Sequence, residues 1–472
     1  MSHAVINPNP WMVLPFVALL ALIALAPLFF AGFWGRHYPK VAGGLGAVTV
    51  GYYLLSLGAS ERVIHTGVEY LSFIALIGSL YVVAGGIHIR VKGEATPWGN
   101  VVFLAVGAVL ANVLGTTGAS MLLVRPWLRM NRYRVTAYHV VFFIFIVSNV
   151  GGCLTPIGDP PLFLGYLKGV PFWWVAEHCW GAWLTAVGIL LGMFWVVDYR
   201  NFLRAPRKVR EAQTHEPEHW KFEGLANIGF LAVILAAVFV NRPAFLREAM
   251  MVGAAVGSYF TTRKSVHEAN DFNFHPLKEV AVLFVGIFAT MMPALDWLQG
   301  NAVKLGEPSV SLYYWGSGAL SSVLDNAPTY LSFLSAALGG LVPGEWVAQL
   351  QALVQAGGSG LAEASEPVRL AYGVLAAHFP AALAAKTVGL EEVQLALLLG
   401  DPRLMKYLVA ISLGAVFFGA TTYIGNGPNF MVKAIADQQN VRTPGFVGYV
   451  LKYALPFMLP MLVVVWWFFV RD

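Results

Sequence analysis

Apolar residues run along this chain in blocks of about twenty, parted by short polar interruptions. A helix that crosses the roughly 30 Å hydrocarbon core of a bilayer needs about 20 mostly apolar residues. Blocks of that kind occupy 11–34, 41–59, 66–88, 135–167, 173–197, 222–241, 246–262, 279–298, 404–432 and 453–470. Two more, 98–124 and 310–338, are interrupted in their middles by polar, Gly or Pro residues. The pattern predicts an all-α polytopic membrane protein. Two long connections stand out: 198–221, which is polar, and 339–403, which is mixed in character. Within the latter, 369–385 is apolar enough either to cross or to lie in the interface. Met1 to Pro10 carry no Lys or Arg. A cleaved signal peptide wants a basic start and a small-residue cleavage site, so the first block is expected to stay as a transmembrane helix.

Charge changes the picture by fixing an orientation. If 98–124 and 310–338 each enter and leave on one side as re-entrant hairpins, ten helices cross and both termini lie outside. The loops 35–40, 89–97, 125–134, 198–221, 263–278 and 433–452 then fall inside and carry 20 of the 30 Lys and Arg residues. That is the distribution the positive-inside rule requires. It places Arg125, Arg129, Arg132 and Arg134 inside, together with a linker holding Arg200, Arg204, Arg207, Lys208, Arg210 and Lys221.

A repeat gives the same reading. Ala111-Asn112-Val113-Leu114-Gly115-Thr116 aligns with Ser321-Ser322-Val323-Leu324-Asp325-Asn326. Further on, Gly152-x-x-Thr155-x-Ile157-Gly158-Asp159-x-Pro161 aligns with Gly419-x-x-Thr422-x-Ile424-Gly425-Asn426-x-Pro428. The two motifs recur in the same order with opposite expected orientation. The expected organisation is therefore a pair of inverted-topology repeats, each of five transmembrane helices plus a re-entrant hairpin. Repeat one spans 1–197, with hairpin 98–124 and broken helix 135–167. Linker 198–221 is basic and cytoplasmic. Repeat two spans 222–472, with hairpin 310–338, insertion 339–403 and broken helix 404–432. Inverted repeats with broken helices at the midplane are a common architecture of secondary transporters.

Four breaks carry the candidate chemistry: Gly115–Ser120, Gly151–Pro161, Asp325–Thr329 and Thr421–Asn429. Irregular backbone at membrane depth persists only where it is buried in protein or lines a wet cavity. Asp159 and Asp325 matter most. A carboxylate at the bilayer centre costs about 2.5–3.5 kcal/mol on insertion scales, so one per half suggests a cation ligand (Na⁺), a proton carrier, or both in turn. The competing reading is a helix cap that accepts N–H bonds. Asn326 and Asn426 are candidate neutral ligands. Thr116, Thr117, Thr155 and Thr422 are candidate hydroxyl ligands, and Gly158 and Gly425 shape the turns. Asn112, Asn149, Ser148 and Asn429 rank second, because each would serve equally well as an interhelical bond. His139 is a candidate proton relay or a structural hydrogen-bonding residue. Glu69, His88, Asp296, Glu177 and His178 sit near helix ends and read as interfacial.

Composition excludes other classes. The chain is 58% hydrophobic and 12% charged, against about 25% charged in a soluble domain. That is not the surface of a soluble enzyme or a nucleic-acid-binding domain. Cys153 and Cys179 offer neither a disulfide framework nor a metal cluster. No H-E-x-x-H, G-x-S-x-G or P-loop motif occurs, so neither hydrolysis nor direct ATP use is indicated. No cofactor is expected beyond Na⁺ as a transported or coupling ion.

The stretch Ser148-Asn149-Val150-Gly151-Gly152-Cys153-Leu154-Thr155-Pro156-Ile157-Gly158-Asp159-Pro160-Pro161 resembles the signature of the ion transporter superfamily, as does Ser322-Val323-Leu324-Asp325-Asn326-Ala327-Pro328. That group includes NhaD-type sodium/proton antiporters, arsenite-efflux permeases, citrate and dicarboxylate carriers and the melanosomal P protein. The chain also resembles bacterial citrate transporter-like proteins. The resemblance implies an inverted-repeat fold with two re-entrant hairpins, a homodimer, an elevator-like motion and a bacterial inner-membrane location. Dicarboxylate members typically carry Ser-Asn-Thr motifs. Here half one has Ser148-Asn149-Val150 and half two has Gly419-Ala420-Thr421 at the nearest position. No Arg lies in either motif to pair with an anion. The expected function is therefore exchange of Na⁺ (or Li⁺) for H⁺ by alternating access, and the alternative is cation-coupled citrate or dicarboxylate transport.

Overall fold

The computed structural model describes residues 6–90, 96–204, 221–240, 243–306 and 308–471. Most of the basic linker, 205–220, lies outside the described residues, as does part of loop 89–97. The described chain is mostly helical, and its strands form one antiparallel ribbon. In it β1 (His88–Arg90) pairs with β2 (Lys221–Glu223), His88 opposite Glu223. Among the described residues seven helices are long and apolar enough to cross a membrane, or up to eight if one bent pair counts as a span.

The first half contains α1 (Leu14–Phe29), α2 (Ala31–Leu55), α3 (Ser60–Gly85), α4 (Pro97–Met130), α5 (Ala137–Ile146), α6 (Pro160–Leu167) and α7 (Trp174–Arg204). The apolar block expected at 11–34 is broken at Phe30, where φ is −137°. α2 starts there and carries Arg36, Pro39 and Lys40 within its first turns. Those residues read as loop in the hydropathy pattern. Arg and Lys are good helix formers whose long stems cover apolar surface, so the helix runs through them.

The second half contains α8 (Ala226–Ala237), α9 (Leu246–Thr261), α10 (Lys264–Ala269), α11 (His275–Asn301), α12 (Val310–Val323) and α13 (Asn326–Gly340). It continues with α14 (Gly344–Gln355), α15 (Glu366–His378), α16 (Pro380–Ala384), α17 (Leu390–Gly400), α18 (Pro402–Phe418) and α19 (Gly427–Gln438). The last helix, α20, is Phe446–Val470. At 12 and 16 residues, α8 and α9 are about 18 and 24 Å long at 1.5 Å per residue, shorter than the blocks expected there. β2 takes the start of the first block, and Gly224 turns the chain at φ 80°. The insertion 339–403 is itself helical. Segment 369–385 is not one helix: α15 ends at His378 and Pro380 opens α16. The 13 residues of α15 reach about 20 Å, too little to cross.

Both interrupted blocks fold back on themselves. In α4 the break is Gly115, at φ 73° and ψ 155°, a backbone conformation that suits a residue without a Cβ. Asn100 and Asn131 then donate to each other's side-chain oxygens at 2.8 and 3.1 Å, and Phe103 stacks on Trp127 at 5.4 Å. In a straight helix residues 100 and 131 would be about 46 Å apart. The second hairpin turns at Leu324–Asp325, and Tyr313 on α12 meets Phe333 on α13 at 5.7 Å.

The hairpins open at opposite ends of the molecule. Asn100, at the base of the first, donates to Asp198 near the end of α7 at 2.8 Å. Ser311, at the base of the second, accepts from Trp466 on α20 at 2.9 Å, and Phe469 packs over Gly181 near the start of α7. Positions 181 and 198 are about 25 Å apart along that helix.

Candidate functional site

Asp159 is where both hairpin tips and both broken helices meet. It precedes α6 with extended backbone, φ −143° and ψ 143°, and is 1% exposed. The carboxylate does not cap its own helix. It accepts from Thr116 Oγ1 at 2.8 Å, Asn326 Nδ2 at 2.6 Å and Asn426 Nδ2 at 3.0 Å. Thr116 and Asn326 are equivalent tip residues of the two hairpins. Asn426 holds, before α19, the position that Asp159 holds before α6, with φ −155° and ψ 140°. The partners of the carboxylate are thus neutral donors from three elements, each worth about 1.5–3 kcal/mol as a bond to a charged group.

The turns around this centre are built alike. Thr155 Oγ1 donates to the Asn112 carbonyl at 2.6 Å, and Thr422 Oγ1 donates to the Ser322 carbonyl at 2.5 Å. The same hydroxyls accept from the Gly158 and Gly425 amides at 3.1 and 3.0 Å. A Cβ on Gly158 would overlap the Gly152 carbonyl, and one on Gly425 would lie 2.7 Å from the Gly419 carbonyl. These close approaches let each break double back tightly enough to present residue 159 or 426 to the centre.

Other expected ligands hold backbone. Asn112 donates to Gly151 O at 2.7 Å and accepts from Leu154 N at 2.8 Å, satisfying the unwound segment. Asn149 donates to Asn429 Oδ1 at 2.6 Å and accepts from Asn426 at 3.2 Å, while Asn429 donates to the Gly419 and Thr422 carbonyls. Ser148 shares a bond with Ser120 at 2.7 Å. Asn149 and Asn429 are not repeat equivalents, so this cross-link between the broken helices was invisible in the alignment.

Asp325 behaves differently from Asp159. It is half-buried, and its Oδ1 accepts from Ala327 N at 3.0 Å at the start of α13. One oxygen of Asp325 thus fills the capping role that Asp159 does not. Thr117 is half-buried and lines a narrow cavity with Asp159, Gly115, Leu76, Leu80 and Phe163. The space there suits about one water molecule.

His139 lies away from this centre. Its Nε2 is 3.1 Å from Asp198 Oδ1, and its Nδ1 accepts from Thr136 N at 3.1 Å. Asp198 is also paired with Arg134, at the base of the first hairpin. The structure therefore gives His139 a structural place, not one beside Asp159. His88 bonds Asn270 at 2.7 Å. His178 bonds the Trp174 carbonyl at 2.8 Å, and Glu177 is exposed. Glu69 and Asp296, read as interfacial, are buried and paired with Lys168 and Arg62. Lys168 carries no signal in the sequence, because a single lysine after a short helix has none until its partner is known.

Among the described residues no group of three His, Cys, Asp or Glu side chains could hold a metal ion. The oxygens gathered at the centre suit a hard cation: the Asp159 carboxylate, the Thr116 hydroxyl and Asn326 Oδ1. The last is buried and has no hydrogen-bond partner among the described residues, an orphan acceptor of the kind that calls for a ligand.

A comparison with curated proteins finds no match. A family profile described as "Putative citrate transport" matches residues 6–470. With nearly the whole chain covered, this integral membrane protein belongs to that family.

Proposed function

We propose that the protein is a secondary active transporter that exchanges Na⁺ or Li⁺ for H⁺ at Asp159 by alternating access. The observation that carries this reading is the Asp159 carboxylate itself, buried among Thr116, Asn326 and Asn426, its hydrogen-bond partners among the described residues, all of them neutral. Burial without a cationic side chain beside it favours neutralising such a carboxylate, by a proton or by a cation. Competition between the two at one group is exchange. The hairpin bases at opposite ends of the molecule support two inverted repeats with re-entrant hairpins, so that the site is closed by one tip from each side.

A second reading, cation-coupled citrate transport, is favoured by the family description. Against it, citrate would bring further negative charge to Asp159, which repels it strongly where the dielectric is low, and the adjoining cavity suits about one water molecule.

Everted vesicles carrying a pH-sensitive dye separate the readings. Na⁺ or Li⁺ added to respiring vesicles between pH 7 and 9 is expected to dissipate the proton gradient, and Asp159→Asn to abolish the response. No response in the parent protein, together with sodium-driven uptake of radiolabelled citrate in proteoliposomes, would establish the second reading instead.

A further inference from the structure

Lys168 follows α6, the eight-residue helix whose opposite end is preceded by Asp159. Its side chain is only 9% exposed, and Nζ lies 3.0 Å from Glu69 Oε1 on α3 and 3.3 Å from Glu391 Oε2 on α17. Glu69 is itself 7% exposed.

Behind Glu69, α3 is tied firmly to other helices. Arg62 pairs with Asp296 of α11 at 2.9 Å, and the same carboxylate accepts from Tyr53 of α2 at 2.7 Å. Ser72 donates to Glu248 of α9 at 2.6 Å, and Phe73 stacks on Phe284 of α11 at 4.7 Å. Polar bonds and ring stacking thus join α2, α3, α9 and α11 into one frame. The hairpin tips and broken helices are joined into a second body by the bonds to Asp159.

The seam between these bodies is apolar at its centre. Leu80 faces Gly115, and Ala84 faces Gly118, while Leu76 and Phe163 line the same cavity. Apolar contact is non-directional and sets no unique register between sliding surfaces. Charges do, because parting a buried pair leaves each charge unpaired in low dielectric.

We infer that Lys168, with Glu69 and Glu391, is a lock holding the Asp159-bearing body in one of its two positions against the frame, and that it releases in every transport cycle. A second charged link across the seam, Arg125 to Asp271, sits toward the other end of α3. It spans 3.5 Å, and the Asp271 side chain is 75% exposed, so solvent screens it and it contributes little. The lock requires two-state access to Asp159 but not a particular ion.

The test reads position, not transport. Ile77→Cys places a reporter on α3 at the cavity, in full-length protein with Cys153 and Cys179 replaced by Ala. Labelling by a membrane-impermeant maleimide is compared in right-side-out and inside-out vesicles. Lys168→Gln and Glu69→Gln are each expected to change the ratio of the two rates on the order of tenfold, in the same direction. The double variant should go no further. Asp271→Asn is expected to leave the ratio unchanged. Parent-like ratios in the folded single variants overturn the lock. If those variants fail to reach the membrane, Glu391→Gln decides, because that carboxylate is 41% exposed and its loss tolerable. A smaller shift in the same direction supports the lock, and no shift overturns it. Because labelling needs no substrate, failure of the sodium–proton reading leaves this result standing.

Discussion

Thr155 and Thr422 make the same bond in the two halves of the chain: each hydroxyl donates to a carbonyl of its own half's hairpin, Asn112 at 2.6 Å and Ser322 at 2.5 Å. Each also accepts from the glycine amide three residues on. These hydroxyls pin a broken helix to a hairpin tip, and they do so twice. Thr155→Val and Thr422→Val should therefore destabilise the protein alike, by about 1–3 kcal/mol each for the groups left unsatisfied. Thr→Ser should restore most of the loss. Thermal unfolding of purified protein in detergent checks this. A large effect at one threonine and none at the other would show that the two junctions are not equivalent.

Asp159 and Asp325 should separate under the same conservative change. Asparagine at 159 keeps the shape and removes the charge that the site holds, so cation-driven proton movement should be lost while the protein still folds. At 325 the side chain caps α13, and asparagine caps about as well as aspartate. Asp325→Asn should retain exchange, whereas Asp325→Ala should lose about 1 kcal/mol of stability. Dye-based exchange assays and melting curves on the three variants are sufficient. Loss of exchange in Asp325→Asn with normal folding would return Asp325 to the role of carrier.

The resemblance and the repeat made the centre of the site legible, because their residues are local in sequence and recur. Thr116, Asn326 and Asn426 come to Asp159 as the breaks and their alignment indicated. What stayed hidden depends on distant partners. The Asn149–Asn429 bond joins positions that the repeat does not relate, and Lys168 meets Glu69 about a hundred residues earlier in the chain. Asp159 and Asp325 look alike in the sequence, because a cap and a carrier demand the same residue type beside a helix start. Hydropathy sets the start of α2 too late, because it counts Arg36 and Lys40 as loop while the backbone continues as helix through them.

Asn426 is the second half's counterpart of Asp159, and it is the donor that ties the two broken helices to one carboxylate. Asn426→Leu keeps the approximate volume and removes that donor. Losing a bond to the charged carboxylate, worth about 1.5–3 kcal/mol, should shift the half-saturating Na⁺ concentration, by no more than the roughly 10- to 150-fold to which the whole bond corresponds. Asn149→Ala removes a different contact of Asn426 but leaves the Asp159 partners in place. It should weaken stability more than apparent affinity. Dose–response curves in everted vesicles distinguish the two, and an unchanged half-saturation in folded Asn426→Leu would exclude this residue from the site.

His139 provides the last test, because it was a candidate relay and the structure gives it another place. It is the third residue of α5, bonded to the Thr136 amide in a capping box, with its other nitrogen 3.1 Å from Asp198. Asp198 already holds Arg134 and Asn100, so the imidazole completes a buried polar cluster at the hairpin base. From His139 to Ile146, the end of α5, is about 10 Å at helical rise, and Ser148 and Asn149, which bond Asn426, lie beyond that end. Glutamine can accept the capping bond and donate toward Asp198 but cannot carry a proton through its side chain. His139→Gln should therefore keep exchange near the parent rate and its dependence on pH, with a lowered unfolding temperature. A collapse of exchange with the melting curve unchanged would make His139 a relay after all.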